Sequence, residues 1–440
     1  MKKRVAIIGA GATGLSAAYD LAVAGWDVQV YEAGTQVGGL AAGFRDERWD
    51  WTLEKFYHHW FASDDAVLGL IEELGASEKL IFPKPITSLW LNGRIYQMTH
   101  PNLVVANLRL PLPPLAKLRY GLAALYLRLS PRWRPLERVT AEAWMQRWMG
   151  ETVYRTLWRS LLISKFGEDY DKVNMAWMWA RLYKRTPRLG TFEGGFQAFL
   201  ELLARAAQER GARLALGVKV ERVQRQPNGT LALTVRGQAH TFDAVLSTTS
   251  PQVMARLTPN LPTPYADKLR ALKSTGAVVV ICALKRQLLT DGTYWLSLPI
   301  STPNRAQAEF PFIALIEHTN YMDRTHYGGD HLIYCGDYVP PSHEYFRLSE
   351  DELAERFISV LPRFNADFSP DWIRKRWVFR APYAQPVPFV NQSQALPALR
   401  TPVRGLYFAS MSQVYPWDRG TNYAVEMGRR VARMVLADLR

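Results

Sequence analysis

Four apolar residues, Val5 to Ile8, run straight into Gly9-Ala10-Gly11-Ala12-Thr13-Gly14, and a helical pattern follows from Leu15 to Ala24. A strand, a glycine-rich turn and a helix in that order predict a βαβ unit of a parallel sheet. Gly9 permits the tight turn, Gly11 lets the backbone approach a pyrophosphate, and Gly14 lets the helix pack closely on the sheet. The free amides at the helix start then face the phosphates. Gly25 ends the helix, Val28 to Tyr31 read as the second strand, and Glu32 follows where a carboxylate accepts ribose hydroxyls. The unit predicts a dinucleotide site.

Gly38-Gly39 come next, at the spacing where FAD enzymes of the glutathione-reductase-like class extend this fingerprint. The chain here resembles the second family of that class, the amine oxidases, protoporphyrinogen oxidases and phytoene desaturases. That resemblance implies FAD as the cofactor, with the paired glycines close to its phosphates. It also implies a Rossmann-like FAD-binding domain assembled from three chain segments. The second segment is Gly194-Gly195-Phe196, a helix from Gln197 to Arg210 and strands around Leu214 to Val223, with Val220 implied at the adenine end. The third is the buried-strand pattern Gly405 to Ala409, followed by Asp418-Arg419-Gly420-Thr421-Asn422 and a helix from Tyr423. Thr421 and Asn422 start helices well, and the amides there are expected to face the flavin pyrimidine. The family's strand ends in Gly-Asp, whose acid holds the ribityl chain, whereas this chain has Ser410 and Met411. Ser412 and Asp418 are the candidates to compensate.

The fold class is therefore α/β, with 1–75, 191–258 and 396–440 as the FAD-binding domain. The intervening 76–190, mostly helical, and 259–395, mostly stranded, are expected to form an α+β substrate-binding domain. A net charge of +14 calls for an anionic substrate or a lipid surface. Nucleic acid is not expected, because there is no basic tail, zinc-finger spacing or RNP-type aromatic signature. Between Lys117 and Arg138, six basic residues interleave with Leu118, Leu122, Leu125, Tyr126, Leu127 and Trp133, a basic amphipathic segment that reads either as a solvated helix packed on the substrate-binding lobe or as a surface that leans on anionic lipid. Charges interrupt every apolar run well short of the roughly 18 to 20 residues of a membrane span. Only Met1, Lys2 and Lys3 precede the first strand with Arg4, which makes the cytoplasm the expected location. Cys282 and Cys335 lie in apolar strand patterns and read as inert core thiols.

Flavin supplies the hydride acceptor, so few acid–base residues are compulsory. Soon after the paired glycines, His58 and His59 are candidate catalytic residues lining the flavin pocket and Tyr57 is a candidate substrate contact; no metal is implied, because no helical His-x3-His or carboxylate partner accompanies them. His318 in Glu317-His318-Thr319-Asn320, and Tyr383 and Gln385 near the return to the FAD domain, are candidate substrate contacts. Arg181, Lys184, Arg185 and Arg188 are weaker candidates for a substrate anion. His58 also fits one position of the Gly-Pro-His-x-Phe-His-Thr motif of UDP-galactopyranose mutases, which the rest of the stretch lacks. The family's amine oxidases carry a lysine on the strand after the second FAD segment, but Ala277 to Leu284 holds none and Lys273 and Lys285 only flank it. The expected function is an FAD-dependent oxidoreductase that removes hydrogen from an apolar or anionic small molecule, like a protoporphyrinogen oxidase or desaturase. The alternatives are a mutase acting on a nucleotide sugar without net redox change, and a non-catalytic flavin-binding module.

Overall fold

The computed structural model describes residues 2–99, 103–184 and 186–439. Arg4–Ile8 lies at the centre of a five-stranded parallel sheet, in the order 213–215, 27–31, 4–8, 244–247, 406–408. Strand side chains alternate between faces, and both faces here are covered. Val5 and Ile7 therefore pack against the helices Ala12–Val23, Phe196–Glu209 and Thr421–Asp438, while Ala6 and Ile8 meet Val220, Leu233, Phe242 and Met254. That double burial explains why the strand reads as a continuous apolar run. The second face is closed by an antiparallel sheet of 220–225, 231–235 and 238–242. All five parallel strands come from 1–75, 191–258 and 396–440.

A seven-stranded sheet draws its strands from 76–190 and 259–395, in the order 373–386, 274–284, 331–339, 314–317, 293–297, 86–91, 94–97. The same alternation sorts its longest buried strand, Ser274–Leu284. Val278, Val280, Cys282 and Leu284 enter one core, and Ala277, Val279, Ile281 and Ala283 enter the other. The second core also takes Trp49 and Leu53, so the strip after the paired glycines is packed onto this sheet. Cys282 and Cys335 are free and buried, and burial raises the Cys282 thiol to about 12, which leaves it inert.

Helices Pro114–Leu129, Ala141–Trp148, Arg159–Phe166 and Met175–Lys184 enclose a third core around Met145, Met149, Phe166 and Met178. The basic amphipathic segment is shorter as a helix than its sequence span. It stops at Leu129 because Ser130 precedes Pro131 and takes extended backbone. No helix among the described residues is long and apolar enough to cross a membrane.

Candidate FAD and substrate site

A cavity of about 650 Å³ opens where the three segments of the parallel sheet converge. Two helices, Ala12–Val23 and Thr421–Asp438, begin at its wall, and each has a glycine, Gly11 or Gly420, at its N-cap. A glycine has no side chain with which to cap, so the first amides of both helices remain available to negative charge. The glycine turn is braced from outside, since Gly38 N donates to Ala10 O at 2.9 Å. A Cβ at Gly11 would meet nothing nearer than Gly39 Cα, 3.9 Å away, so packing leaves that space open for a ligand.

Gly9, Gly38, Gly39, Val220, Ser410, Met411 and Thr421 line the cavity with Gly11 and Gly420. Glu32 lines it as well. Its Oε2 accepts from Ala10 N at 2.8 Å and its Oε1 from Gly34 N at 2.7 Å, and each oxygen keeps a further lone pair for a hydroxyl. Gly14 and Asn422 are outside the lining and serve the scaffold. Asn422 Oδ1 accepts from Val67 N at 3.0 Å, in the first turn of Asp65–Glu73, and the Thr421 hydroxyl accepts from Trp60 Nε1 at 2.6 Å.

Where the resemblance implies a carboxylate, this chain builds a hydroxyl cluster. Ser410 caps the short helix Met411–Gln413, and Tyr383 Oη stands 2.7 Å from Ser412 Oγ and 3.4 Å from Ser410 Oγ. Tyr383 and Ser410 line the cavity, whereas Asp418 is turned away, paired with Arg181 at 2.6 Å and accepting from Trp177 Nε1 at 3.1 Å. Burial raises the Tyr383 phenol, which keeps it a neutral donor.

The adjacent histidines separate, as neighbours on an extended chain must. His58 lines the cavity with Nδ1 against the Phe56 carbonyl. A carbonyl only accepts, so Nδ1 carries the proton. Burial lowers the pKa of His58 to about 4, leaving the ring neutral near pH 7. Its fully neutral state supports the fold above its ordinary value of 6.5, and that support is lost as pH falls from 6.5 towards about 4. Turnover of wild type and His58→Asn is therefore expected to share one pH profile between about pH 5 and 8. A limb near 6.5 that disappears in the variant would show that His58 titrates there.

Several sequence candidates lie outside the cavity lining. His59 is packed against Tyr294 and Trp295. Tyr57 sits edge-on to Trp295, beneath Gly336, where a Cβ would come within 2.7 Å of its ring. His318 is buried in the seven-stranded sheet's core with Nε2 2.8 Å from Tyr327 Oη, and burial lowers it to about 3. These three are packing residues: Tyr57 and His59 sit in the connection between the short strands Leu53–Glu54 and Trp60–Phe61, and His318 opens the 3-10 turn His318–Asn320. Gln385 stands behind the cavity, where its Oε1 accepts from Arg419 Nε at 3.1 Å. Lys184 is 3.9 Å from Asp65, and Arg185 lies outside the described residues.

Two cations converge that sequence order kept apart. Arg419 lines the cavity and donates to Tyr338 Oη, and Lys165 Nζ lies 4.0 Å from the centroid of the same Tyr338 ring. Burial alone would lower the Arg419 pKa, but Tyr338 and Asp418 carry it above its ordinary value, so it stays charged. A position next to Gly420 was the only local signal for Arg419.

A cavity walled by two open helix starts, a glycine cradle and a carboxylate has the groups that a dinucleotide such as FAD requires. The chain belongs to the flavin-containing amine oxidoreductase family, whose model matches residues 12–436, and it is a flavin-dependent oxidoreductase. It is 21% identical over 482 aligned residues to 15-cis-phytoene desaturase of Glycine max, covering 99% of this chain and 79% of that protein. A protein of Exiguobacterium sp. 255-15, proposed to be a protoporphyrinogen oxidase, superposes with a TM-score of 0.78 at 18% identity over 99% of both chains. A reduced UDP-galactopyranose mutase superposes with a TM-score of 0.75 at 17% identity, over 99% of this chain and 96% of that one. These two structures share the fold.

Proposed function

We propose that this enzyme removes hydrogen from a largely apolar small molecule bearing an anionic group, in the manner of a protoporphyrinogen oxidase or a carotenoid-type desaturase. Bound FAD supplies the hydride acceptor. In this reading Gly9, Gly11, Gly38 and Gly39 hold its pyrophosphate, Glu32 a ribose and Val220 the adenine end. Ser410, Met411 and Tyr383 take the ribityl position, and the amides after Gly420 favour negative charge on the ring.

The observation that carries the substrate class is Arg419. A part-buried guanidinium in the cavity wall, held charged beside Asp418 and fixed by Tyr338 and Gln385, presents a positive group to whatever fills the cavity and favours an anionic one. In the same cavity Leu40, Met411, Val414 and Met427 supply apolar lining. The amine-oxidase lysine has no equivalent on Ser274–Leu284, since Lys273 and Lys285 are exposed at its ends. We place the enzyme in the cytoplasm with a peripheral lipid contact, a reading supported by its +14 charge.

Anaerobic mixing with porphyrinogens, polyenes and amines, while flavin absorbance is followed, tests the reading. Carboxylated porphyrinogens or polyenes are expected to bleach the flavin, and amines are not. Arg419→Gln is expected to weaken binding of carboxylated substrates by about 2–5 kcal/mol, read as a raised KM, with little effect on uncharged ones. Rearrangement of a nucleotide sugar under dithionite, with no substrate bleaching the flavin, would replace this proposal by the mutase reading. A loaded flavin that no substrate reduces or uses would point to a binding module.

A further inference from the structure

The helix Pro114–Leu129 carries its leucines on the wrong side for a core. Leu115, Leu118, Leu122, Leu125 and Leu129 recur at alternating spacings of three and four, which places them on one stripe. They are 77%, 60%, 62%, 54% and 69% exposed, while Ala123 and Leu127 face inward and are buried. Eleven large hydrophobic side chains are exposed among the described residues, and nine of them lie between Leu108 and Trp148. Singly exposed leucines are ordinary, but a concentrated stripe marks a contact surface.

Charge identifies what covers it. The helix has Lys117, Arg119 and Arg128 and no acidic residue, and Arg132, Arg134 and Arg147 extend the same sign. The two acids of this stretch are engaged internally. Glu137 is buried and accepts from Ser393, and Glu142 accepts from the Tyr154 hydroxyl. A second copy of the chain pairing through this stripe would set basic helix against basic helix without a carboxylate to offset it. An anionic bilayer matches both features, since the leucines enter the headgroup boundary and exposed Arg132, Arg134 and Arg138 meet lipid phosphates. Lys117, Arg119 and Arg128, which donate to the carbonyls of Leu108, Trp148 and Leu182, add to the positive field.

We infer that the Pro114–Leu129 helix is an in-plane membrane-docking element, which seats the enzyme on anionic lipid by its leucine stripe. This specifies the peripheral contact of the preceding reading and is independent of the redox assignment. The placement suits an apolar substrate. Trp179 Nε1 donates to Ser130 O at the end of the helix and its ring stacks on Trp417 at 5.4 Å, two residues before Arg419 in the cavity wall. One layer of aromatic side chains thus separates the docking helix from the segment that walls the site.

Flotation of the FAD-loaded protein with vesicles of phosphatidylcholine alone, or with added phosphatidylglycerol, tests the inference without any turnover. Binding is expected on the phosphatidylglycerol vesicles, weakened by added salt. Leu118→Asn/Leu122→Asn/Leu125→Asn should bind about tenfold more weakly or worse while keeping FAD and its unfolding temperature. Cys282 and Cys335 are buried, so Leu122→Cys accepts a polarity-sensitive dye selectively. Its emission should shift to the blue on anionic vesicles, and a dye at exposed Gln238→Cys should not change. Wild type failing to float, a triple variant that floats unchanged, or a dimer in sedimentation that the triple variant dissolves would overturn the assignment.

Discussion

Gly14→Ala is expected to yield a chain that fails to retain FAD and loses about 3 kcal/mol of folding stability. A Cβ at this position would stand 2.0 Å from Gly9 O and 3.1 Å from Gly9 C. Both are backbone atoms, so no rotamer relieves the overlap. The first helix would have to move off the strand, and its opening amides would leave the cavity wall with it. Gly428→Ala should have a similar effect from the other side, because its Cβ would come within 2.2 Å of Thr13 O. That contact fixes how closely the last helix approaches the first. Flavin absorbance per chain and thermal unfolding check both variants. A Gly14→Ala protein with one FAD per chain and unaltered unfolding would show that the turn has slack that this geometry denies.

The second large effect belongs to a pair remote from the glycine turn. Arg305 and Asp337 are 2% and 0% exposed in their side chains and joined at 2.7 Å and 3.0 Å, with a further bond from Arg305 to Tyr338 O. Arg305→Leu strands a carboxylate in the core and should cost about 3–5 kcal/mol. Arg305→Leu/Asp337→Leu removes the charge as well and should recover most of that loss. Chemical unfolding of the FAD-loaded protein, carried through a double-mutant cycle, measures the difference. Equal losses in the single and double variants would mean that packing around Arg305, rather than the stranded charge, dominates. Asp337 precedes Tyr338, which meets both Arg419 and Lys165, so the single variant should also raise KM for an anionic substrate.

The FAD half of the molecule was largely legible because its signals are local. A tight turn, a close helix–strand crossing and an acid after the second strand are demands on consecutive residues, and only certain residue types meet them. Gly38-Gly39 and the Gly405 strand extend the same logic to separate segments. The doubled hydrophobic faces of Arg4–Ile8 and Ser274–Leu284 likewise appear as continuous apolar runs. Even Asp418, weighed as a replacement for the missing ribityl acid, was a reasonable candidate by position alone. Its pairing with Arg181 takes it away, and a residue more than two hundred positions distant cannot be read from the strand itself.

The opening turn and its partners, then, were determined by sequence: a parallel α/β sheet and the cavity lining of Gly9, Gly11, Glu32, Gly38 and Gly39, proposed to hold the FAD that the family resemblance implies. Tertiary structure decided which side chains face that cavity. It kept His58 and Tyr383 there, moved His59 and His318 into packing, brought Arg419 and Lys165 onto one tyrosine, and turned a leucine stripe outward. The physical reason is that periodicity defines which residues share a face, while the direction that face points is set by long-range packing of one element against another.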